Sequence, residues 1–376
     1  MGMALEFQYS LKTSIVFGCG SVEKLGRYCA ERGLKNGVLV ADPFFRTNGL
    51  ADAIVRYSDG AISAIFSDIQ PNPSIENVDA CVKQIECLNA SFVVALGGGS
   101  SMDCAKAASV TAYTGKSVRA FHSENNPICT AGLPILAIPT TAGTGSEVTN
   151  VAVLSDSEKG IKGPMASEKM FASLAIVDPN LTLSVPPRVV ASTGLDVLSH
   201  ALEGFWSKGH QPICDAFAMY AARLAFDNLE RAFFCGNDIQ AKEDMALASL
   251  IAGLAFGPPK TAASHACSFP LTNIYHIPHG EACAFTLDAL VRINSEAESE
   301  RMQQFARAVG FASTDAMADE ILRLKRTCGM RCTLAEAGIS VDDLPDLVEK
   351  CQHPNLLNNP VEMTHERLMD MFLRLQ

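Results

Sequence analysis

The hydrophobic pattern changes period once along this chain, and that change limits the fold more than any other feature. Up to about residue 185, short apolar runs rich in β-branched residues alternate with helical stretches: VLVA (38–41), AISAIF (61–66), FVVAL (92–96), PILAIP (134–139) and LAIVDP (174–179). Near-continuous apolar strands separated by helices predict a parallel sheet covered on both faces. From Val189 onward strands nearly vanish. Long segments such as CDAFAMYAARLAFDNLERAF (214–233) and EDMALASLIAGLAF (243–256) place apolar residues at three- and four-residue intervals, as amphipathic helices do. Two prolines in SVPPR (184–188) interrupt any continuing helix there. The expectation is an α/β domain over 1–185 and an all-helical domain over 186–376. A length of 376 residues agrees with two cores rather than one.

Composition removes several classes of function. A formal net charge of −11 repels nucleic acid and anionic membranes as a whole, while leaving room for a small anion at a local cluster of donors. No apolar run reaches membrane-spanning length. The opening MGMALEFQYSLKTS lacks a cationic region followed by an apolar one, so the expected location is the cytoplasm. Thirteen cysteines, an odd number without CxxC spacing, argue for reduced thiols and against a disulfide framework or a cysteine-bound zinc.

Two stretches could receive a dinucleotide. FVVALGGGSSMDCAKAAS sets Gly97, Gly98 and Gly99 between a buried strand and a helix beginning near Ser100. Glycine lets the backbone approach a phosphate, and the helix N-terminus offers N–H groups and the positive end of its dipole. A tight strand-to-helix turn is the plainer reading. PTTAGTGSEVTN (139–150) also follows a strand and adds hydroxyls at Thr140, Thr141, Thr144 and Ser146, suited to a nicotinamide amide and a ribose. Asp42, at the end of VLVA, is placed to accept from adenosine ribose hydroxyls and to repel a 2′-phosphate, favouring NAD over NADP; it could equally form a turn before Pro43. GCGSVE (18–23) begins like a dinucleotide fingerprint, but Glu23 stands where the third glycine belongs.

A metal is the other candidate ligand. In TGLDVLSHALEGF (193–205), Asp196 and His200 are four apart and share one helix face, as metal ligands or as an ordinary hydrogen-bonded pair. SHACSFPLTNIYHIPHG (264–280) holds His265, His276 and His279, three of the eight histidines. His265 falls in a small-residue helical segment and His279 at a loop-to-helix junction. Together with Asp196 and His200 they would make a set of one carboxylate and three imidazoles, suited to Fe(II) or Zn(II) with room for a substrate oxygen. Phe205 and Trp206, just beyond, are expected in the core.

GGGSSMDCAKA, PTTAGTGSEVT, GLDVLSHALEGFWS and HIPHGEACA, in this order and spread over nearly the whole chain, resemble the iron-containing (group III) alcohol dehydrogenases. The resemblance implies a dinucleotide-binding α/β domain, a helical domain, a cleft between them, and a divalent metal on Asp196, His200, His265 and His279. It also implies NAD(H) as cofactor and a homodimer or larger homo-oligomer. The cofactor set then comprises Asp42, Asn72, Gly97, Gly98, Gly99, Ser100, Asp103, Thr140, Thr141, Thr144, Ser146 and Lys162. The metal would act as a Lewis acid on a carbonyl oxygen during hydride transfer from nicotinamide. Many members of the family carry a further histidine four residues after the third ligand, where this chain has Phe269. His276 either substitutes for it as proton donor or lines the cleft.

The substrate signal is GPPKTAASHA. On a helix, Lys260 and Thr261 would lie about one turn from His265, and a lysine there is costly to bury without an anion. The alternative is a helix-start lysine reaching solvent. The expected substrate is a small aldehyde with a strong anionic group. KTAASHACSFPLTNIYHIPHG also resembles the branch of phosphonoacetaldehyde and sulfoacetaldehyde reductases. Neutral short-chain aldehydes such as lactaldehyde or butyraldehyde are the second expectation. A lyase of the dehydroquinate-synthase type and a redox-sensing NAD-binding protein are the competing classes.

Overall fold

A computed structural model describes residues 6–376, so the first five residues of the opening stretch lie outside it. The chain forms two compact units. One comprises residues 10–141 and 146–182; the other comprises residues 142–145 and 183–376, with the described part of 1–9.

The first unit is α/β. Strands β1 (Ser14–Phe17), β2 (Gly37–Ala41), β3 (Ile62–Phe66), β4 (Phe92–Gly97), β5 (Ile135–Pro139) and β8 (Leu174–Val177) form one sheet in the order β1-β8-β5-β4-β2-β3. Every pairing in it is parallel. Alternate residues of each strand enter different cores, as the pleat requires. Val38, Val40, Val93 and Ala95 join Ile75, Val78, Cys81 and Met102 from helices on one face. Leu39, Ala41, Val94 and Leu96 join Leu25, Cys29, Ala51 and Ile54 on the other. Two-sided burial is the reason the strands read as unbroken apolar runs.

The chain reverses direction across the sheet between β2 and β4, a switch point where open α/β sheets bind ligands beyond their strands' carboxyl ends. An antiparallel hairpin, β6 (Val151–Asp156) with β7 (Ile161–Ala166), was not anticipated. Its outer strand is half exposed and carries Gly163 and Pro164, so its apolar signal is weak.

The second unit is helical, around one continuous core. Its centre is the Pro187–Trp206 helix, buried from Val190 to Trp206 except at Thr193. It packs against the helices Pro212–Phe234, Ile239–Phe256 and His279–Phe285. Alanines at 218, 221, 222 and 225 let the Pro212–Phe234 helix approach closely. A helix buried all round must satisfy whatever polar side chains it carries, and this one carries Asp196, His200 and Glu203 along one stripe. Phe205 and Trp206 are core residues, and all thirteen cysteines are free thiols. None of the described helices is long and apolar enough to cross a membrane.

Candidate active site

In the α/β unit, register brings three strand-to-loop junctions side by side. Ala41 pairs with Leu96, and Gly97 pairs with Pro139, so Asp42, Gly98 and Thr140 leave adjacent strands together. Thr140 N–H donates to Gly97 O at 3.1 Å. Gly97 has φ of 146°, and an added Cβ there would meet Ser101 Oγ at 2.4 Å, so the turn requires glycine. The Gly99–Thr111 helix has Gly98 as N-cap and no side chain capping it, which leaves its first N–H groups for a ligand. Ser100 Oγ accepts from the N–H of Asn72, itself in the left-handed region at φ 53°. Asp42 caps the next helix through Oδ1, accepting from Phe44 N–H at 2.8 Å, so one oxygen is engaged as the turn reading expected.

Asp103 and Ser146 meet in a buried network built on Lys106, which sequence reasoning missed. The Lys106 ammonium donates to Ser146 Oγ (2.8 Å), Thr149 Oγ1 (3.2 Å) and Val151 O (3.0 Å). Asp103 accepts from Val153 N–H at 3.1 Å, and Ser146 Oγ lies 3.5 Å from its other oxygen. Burial pushes the Asp103 carboxyl up to about 6, against the pull of Lys106. Burial draws Lys106 down to about 8, against Asp103 and Glu147. The available signal was a lysine three residues after Asp103 in an otherwise small, apolar helix. Lys162 lies in β7, where partial burial lowers its pKa. Thr144 belongs to the 142–145 segment of the helical unit; there Gly145, at φ 57°, passes so near Gly253 that a Cβ would come within 2.5 Å of its Cα.

In the helical unit four of the singled-out residues converge. Asp196 and His200 lie one turn apart on the Pro187–Trp206 helix. His265 is in the Ala263–Asn273 helix and His279 begins the His279–Phe285 helix. Gly280 makes the last approach feasible, since a Cβ there would fall 2.1 Å from Ser192 O. His200 Nε2 is 3.1 Å from His265 Nε2, and Asp196 Oδ1 is 3.8 Å from His265 Nε2. His279 sets its ring edge-to-face on His265, with centroids 5.5 Å apart. His200 stacks on Phe256 at 4.1 Å.

Glu203, also missed, fixes this geometry. Fully buried, it accepts from the N–H groups of Ser264 (2.7 Å) and His265 (3.2 Å), capping that helix from outside, and from His265 Nδ1. Glu203 therefore holds a proton on His265 Nδ1 and turns Nε2 toward His200 and Asp196. Gly143 O, 3.3 Å from His200 Nδ1, fixes the same tautomer there. The two Nε2 atoms face each other beside Asp196 Oδ1, which is buried without a hydrogen-bond partner. Such an arrangement fits a divalent cation. The donor set also contains Cys283: one ligand atom each from Asp196, His265, His279 and Cys283 lie within 4.8 Å of one another. Its thiol stands 3.7 Å from His279 Nε2, and burial pushes it up to about 11. Burial raises Asp196 to about 6, opposed by His265. Burial and the neighbouring imidazoles of His265 and His279 hold His200 well below the usual histidine range.

Lys260 and Thr261 are not helical, contrary to the expectation that placed them one turn from the metal. The helix begins only at Ala263, after Pro258 and Pro259, and Lys260 is in the left-handed region at φ 68°. Thr261 Oγ1 accepts from Asn355 Nδ2 at 2.8 Å. His276 is exposed on a left-handed turn at φ 53°. The imidazole packed against Phe269 is instead that of His353, with centroids 4.6 Å apart.

A parallel sheet with a glycine-rich turn at its switch point, joined in sequence to a helical unit with a carboxylate–imidazole cluster, defines a dinucleotide- and metal-dependent class of oxidoreductase. The chain belongs to the iron-containing alcohol dehydrogenase family: its model matches residues 12–179, and that of the family's C-terminal domain matches 190–375. Among solved structures, the sulfoacetaldehyde reductase from Bifidobacterium kashiwanohense in complex with NAD+ superposes with a TM-score of 0.97, at 49% identity and 99% coverage of both chains. Among relatives, alcohol dehydrogenase 4 of Saccharomyces cerevisiae is 32% identical over 360 residues, 94% of each chain. Choline dehydrogenase of Bacillus subtilis is 33% identical over 374 residues, covering 95% of this chain and 92% of the relative.

Proposed function

We propose that the protein is an NAD(H)-linked, metal-dependent alcohol dehydrogenase that reduces a small anionic aldehyde, sulfoacetaldehyde or phosphonoacetaldehyde, to the alcohol. The observation that carries this reading is the orphaned Asp196 Oδ1 beside the two facing imidazole Nε2 atoms, in a chain of this family. Asp196, His200, His265 and His279 would hold the ion, iron or zinc, since both accept these donors. When bound, the ion supplies Lewis-acid polarisation of a carbonyl oxygen and the nicotinamide supplies hydride. The dinucleotide would take its pyrophosphate at Gly97–Ser100, with Asn72, Asp103, Thr140, Thr141, Thr144, Ser146 and Lys162 around the nicotinamide ribose and amide and Asp42 at the adenosine ribose. Asp103 and Ser146 are held in place for this by Lys106.

Similarity to a sulfoacetaldehyde reductase over 99% of both chains supports the anionic substrate. Lys260 and Thr261 are the residues assigned to the anion, one by charge and the other by its hydroxyl. A cytoplasmic homodimer or larger homo-oligomer belongs to the same reading.

The test is NADH oxidation by sulfoacetaldehyde, phosphonoacetaldehyde, lactaldehyde and butyraldehyde on metal-reconstituted protein, with Lys260→Ala alongside. A charge-assisted hydrogen bond contributes about 1.5–3 kcal/mol, so this variant should lose about one to two orders of magnitude in kcat/KM for the anionic aldehydes alone. Equal turnover of neutral aldehydes by the parent protein refutes the substrate assignment. Absence of steady NADH oxidation by any aldehyde points to the lyase class, which returns its hydride within each turnover.

A further inference from the structure

The loop carrying Lys260 and Thr261 is shaped by a segment almost a hundred residues further along the chain. Pro354–Asn358 is a short 3-10 turn packed against the Ala263–Asn273 helix, which bears His265. Asn358 Nδ2 donates its two hydrogens to Pro259 O at 2.8 Å and Thr261 O at 3.1 Å, with Lys260 O sharing one of them at 3.4 Å. Its Oδ1 accepts from Gly209 N–H at 3.3 Å, so both ends of the amide are engaged. Lys260 N–H is taken by Phe256 O at 2.7 Å. These bonds over-determine a backbone that a lysine adopts only under strain, which is the circumstance in which a left-handed non-glycine residue persists.

Asn355 acts on the side chain. Its Nδ2–H occupies a lone pair of Thr261 Oγ1, leaving that hydroxyl to donate its own hydrogen, and no acceptor among the described residues takes it. A hydroxyl that accepts from an amide is also a stronger donor, because the two bonds polarise each other. The three carbonyl oxygens of 259–261, which would repel an anion, are meanwhile gathered onto Asn358.

From this geometry we infer that Asn355 and Asn358 are the specificity-determining positioning residues of the anion subsite, making the Lys260–Thr261 loop an all-donor surface for a sulfonate or phosphonate. The inference rests on the anionic-substrate reading given above. Neither asparagine is among the residues assigned to the metal or the dinucleotide, so each acts through the loop and leaves turnover of neutral aldehydes in place.

The test compares kcat/KM for sulfoacetaldehyde and for butyraldehyde in the metal-loaded protein and in Asn355→Ala, Asn355→Asp, Asn358→Ala and Thr261→Val. Asn355→Ala should lower the anionic-to-neutral ratio about tenfold. Asn355→Asp should lower it further, because a carboxylate accepts the Thr261 hydrogen and adds a repelling charge. Neutral turnover should stay within about threefold in the asparagine variants, since a general structural defect would lower both substrates together. The double variant Asn355→Ala/Thr261→Val should lose little more than either single variant, the mark of one shared interaction. Where Asn358→Ala melts too low to assay, the near-isosteric Asn355→Asp carries the test. Asn355 variants that keep the parent's ratio overturn the inference while leaving the anionic-substrate reading intact. A parent with no anionic preference overturns that reading and the inference with it.

Discussion

Glu203 offers the sharpest separation between holding a fold and holding a cation. Replacing it with glutamine keeps an oxygen for the N–H groups of Ser264 and His265, but turns an NH2 group toward His265 Nδ1. The imidazole must then accept at Nδ1 and carry its proton on Nε2. That hydrogen points at His200 Nε2, 3.1 Å away, and at Asp196 Oδ1, which lacks a partner. The metal-free protein keeps the cap on both N–H groups, so Glu203→Gln should melt close to the parent in the presence of chelator. Metal affinity should fall about 10- to 100-fold, equivalent to about 1.4–2.7 kcal/mol, the usual cost of losing the outer partner of a ligating histidine. Glu203→Ala differs, because it removes the cap and leaves buried N–H groups unpaired. A cap contributes about 1 kcal/mol and a buried orphan about 1–3 kcal/mol, so a loss of about 3 kcal/mol and a melting temperature lower by about 6–12 °C are expected. Chelator-competition titration with Zn2+ or Co2+ gives the affinity, and calorimetry under chelation gives the stability. A glutamine variant that binds metal as the parent does, or melts as low as the alanine variant, refutes the tautomer argument.

Two further outcomes follow from groups elsewhere. Hydrogen bonds from Ser123, and then from Arg119 and Lys159 N–H, outweigh burial and hold the Asp156 carboxyl down to about 2. Its unfolded value is about 3.9, so between about pH 4 and pH 2 the unfolded chain binds more protons. The stability Asp156 contributes is full above pH 4 and is lost as pH falls through 2; Asp156→Asn should flatten acid denaturation across that window, and an unchanged acid limb would count against this account. His276→Ala, at an exposed turn, should leave the pH profile of kcat unmoved, whereas His353→Ala, which removes the ring packed against Phe269, should shift it; the reverse pattern would assign the proton to His276.

The parallel sheet was legible because its strands are buried on two faces, which writes unbroken apolar runs into the sequence. The β6–β7 hairpin was not, since a half-exposed outer strand containing Gly163 and Pro164 lacks both β propensity and a clear alternation. The start of the helix bearing His265 was misjudged for a different reason. Its N-cap is Ala262, which provides no local signal, and its cap comes from Glu203, 61 residues earlier. Local rules for helix starts look for a capping side chain next to the helix, so a cap delivered by tertiary packing escapes them.

The same distinction orders the site. Asp196 and His200 were visible as a pair because four residues make one turn, and Glu203 lies on the same stripe of the same buried helix. A carboxylate at that position cannot sit in an apolar core unpaired, so it could have been assigned from the helix pattern alone. His353, Asn355 and Asn358 had no such route, because Asn355 reaches Thr261 across 94 residues and no periodicity links a 3-10 turn to a distant loop. Residues on one helix are constrained by its geometry, whereas the Lys260–Thr261 loop is fixed by a remote segment that bonds its backbone. The proposed discrimination between anionic and neutral aldehydes turns on what holds the Pro259–Thr261 loop, and in this chain that is the amide of Asn358.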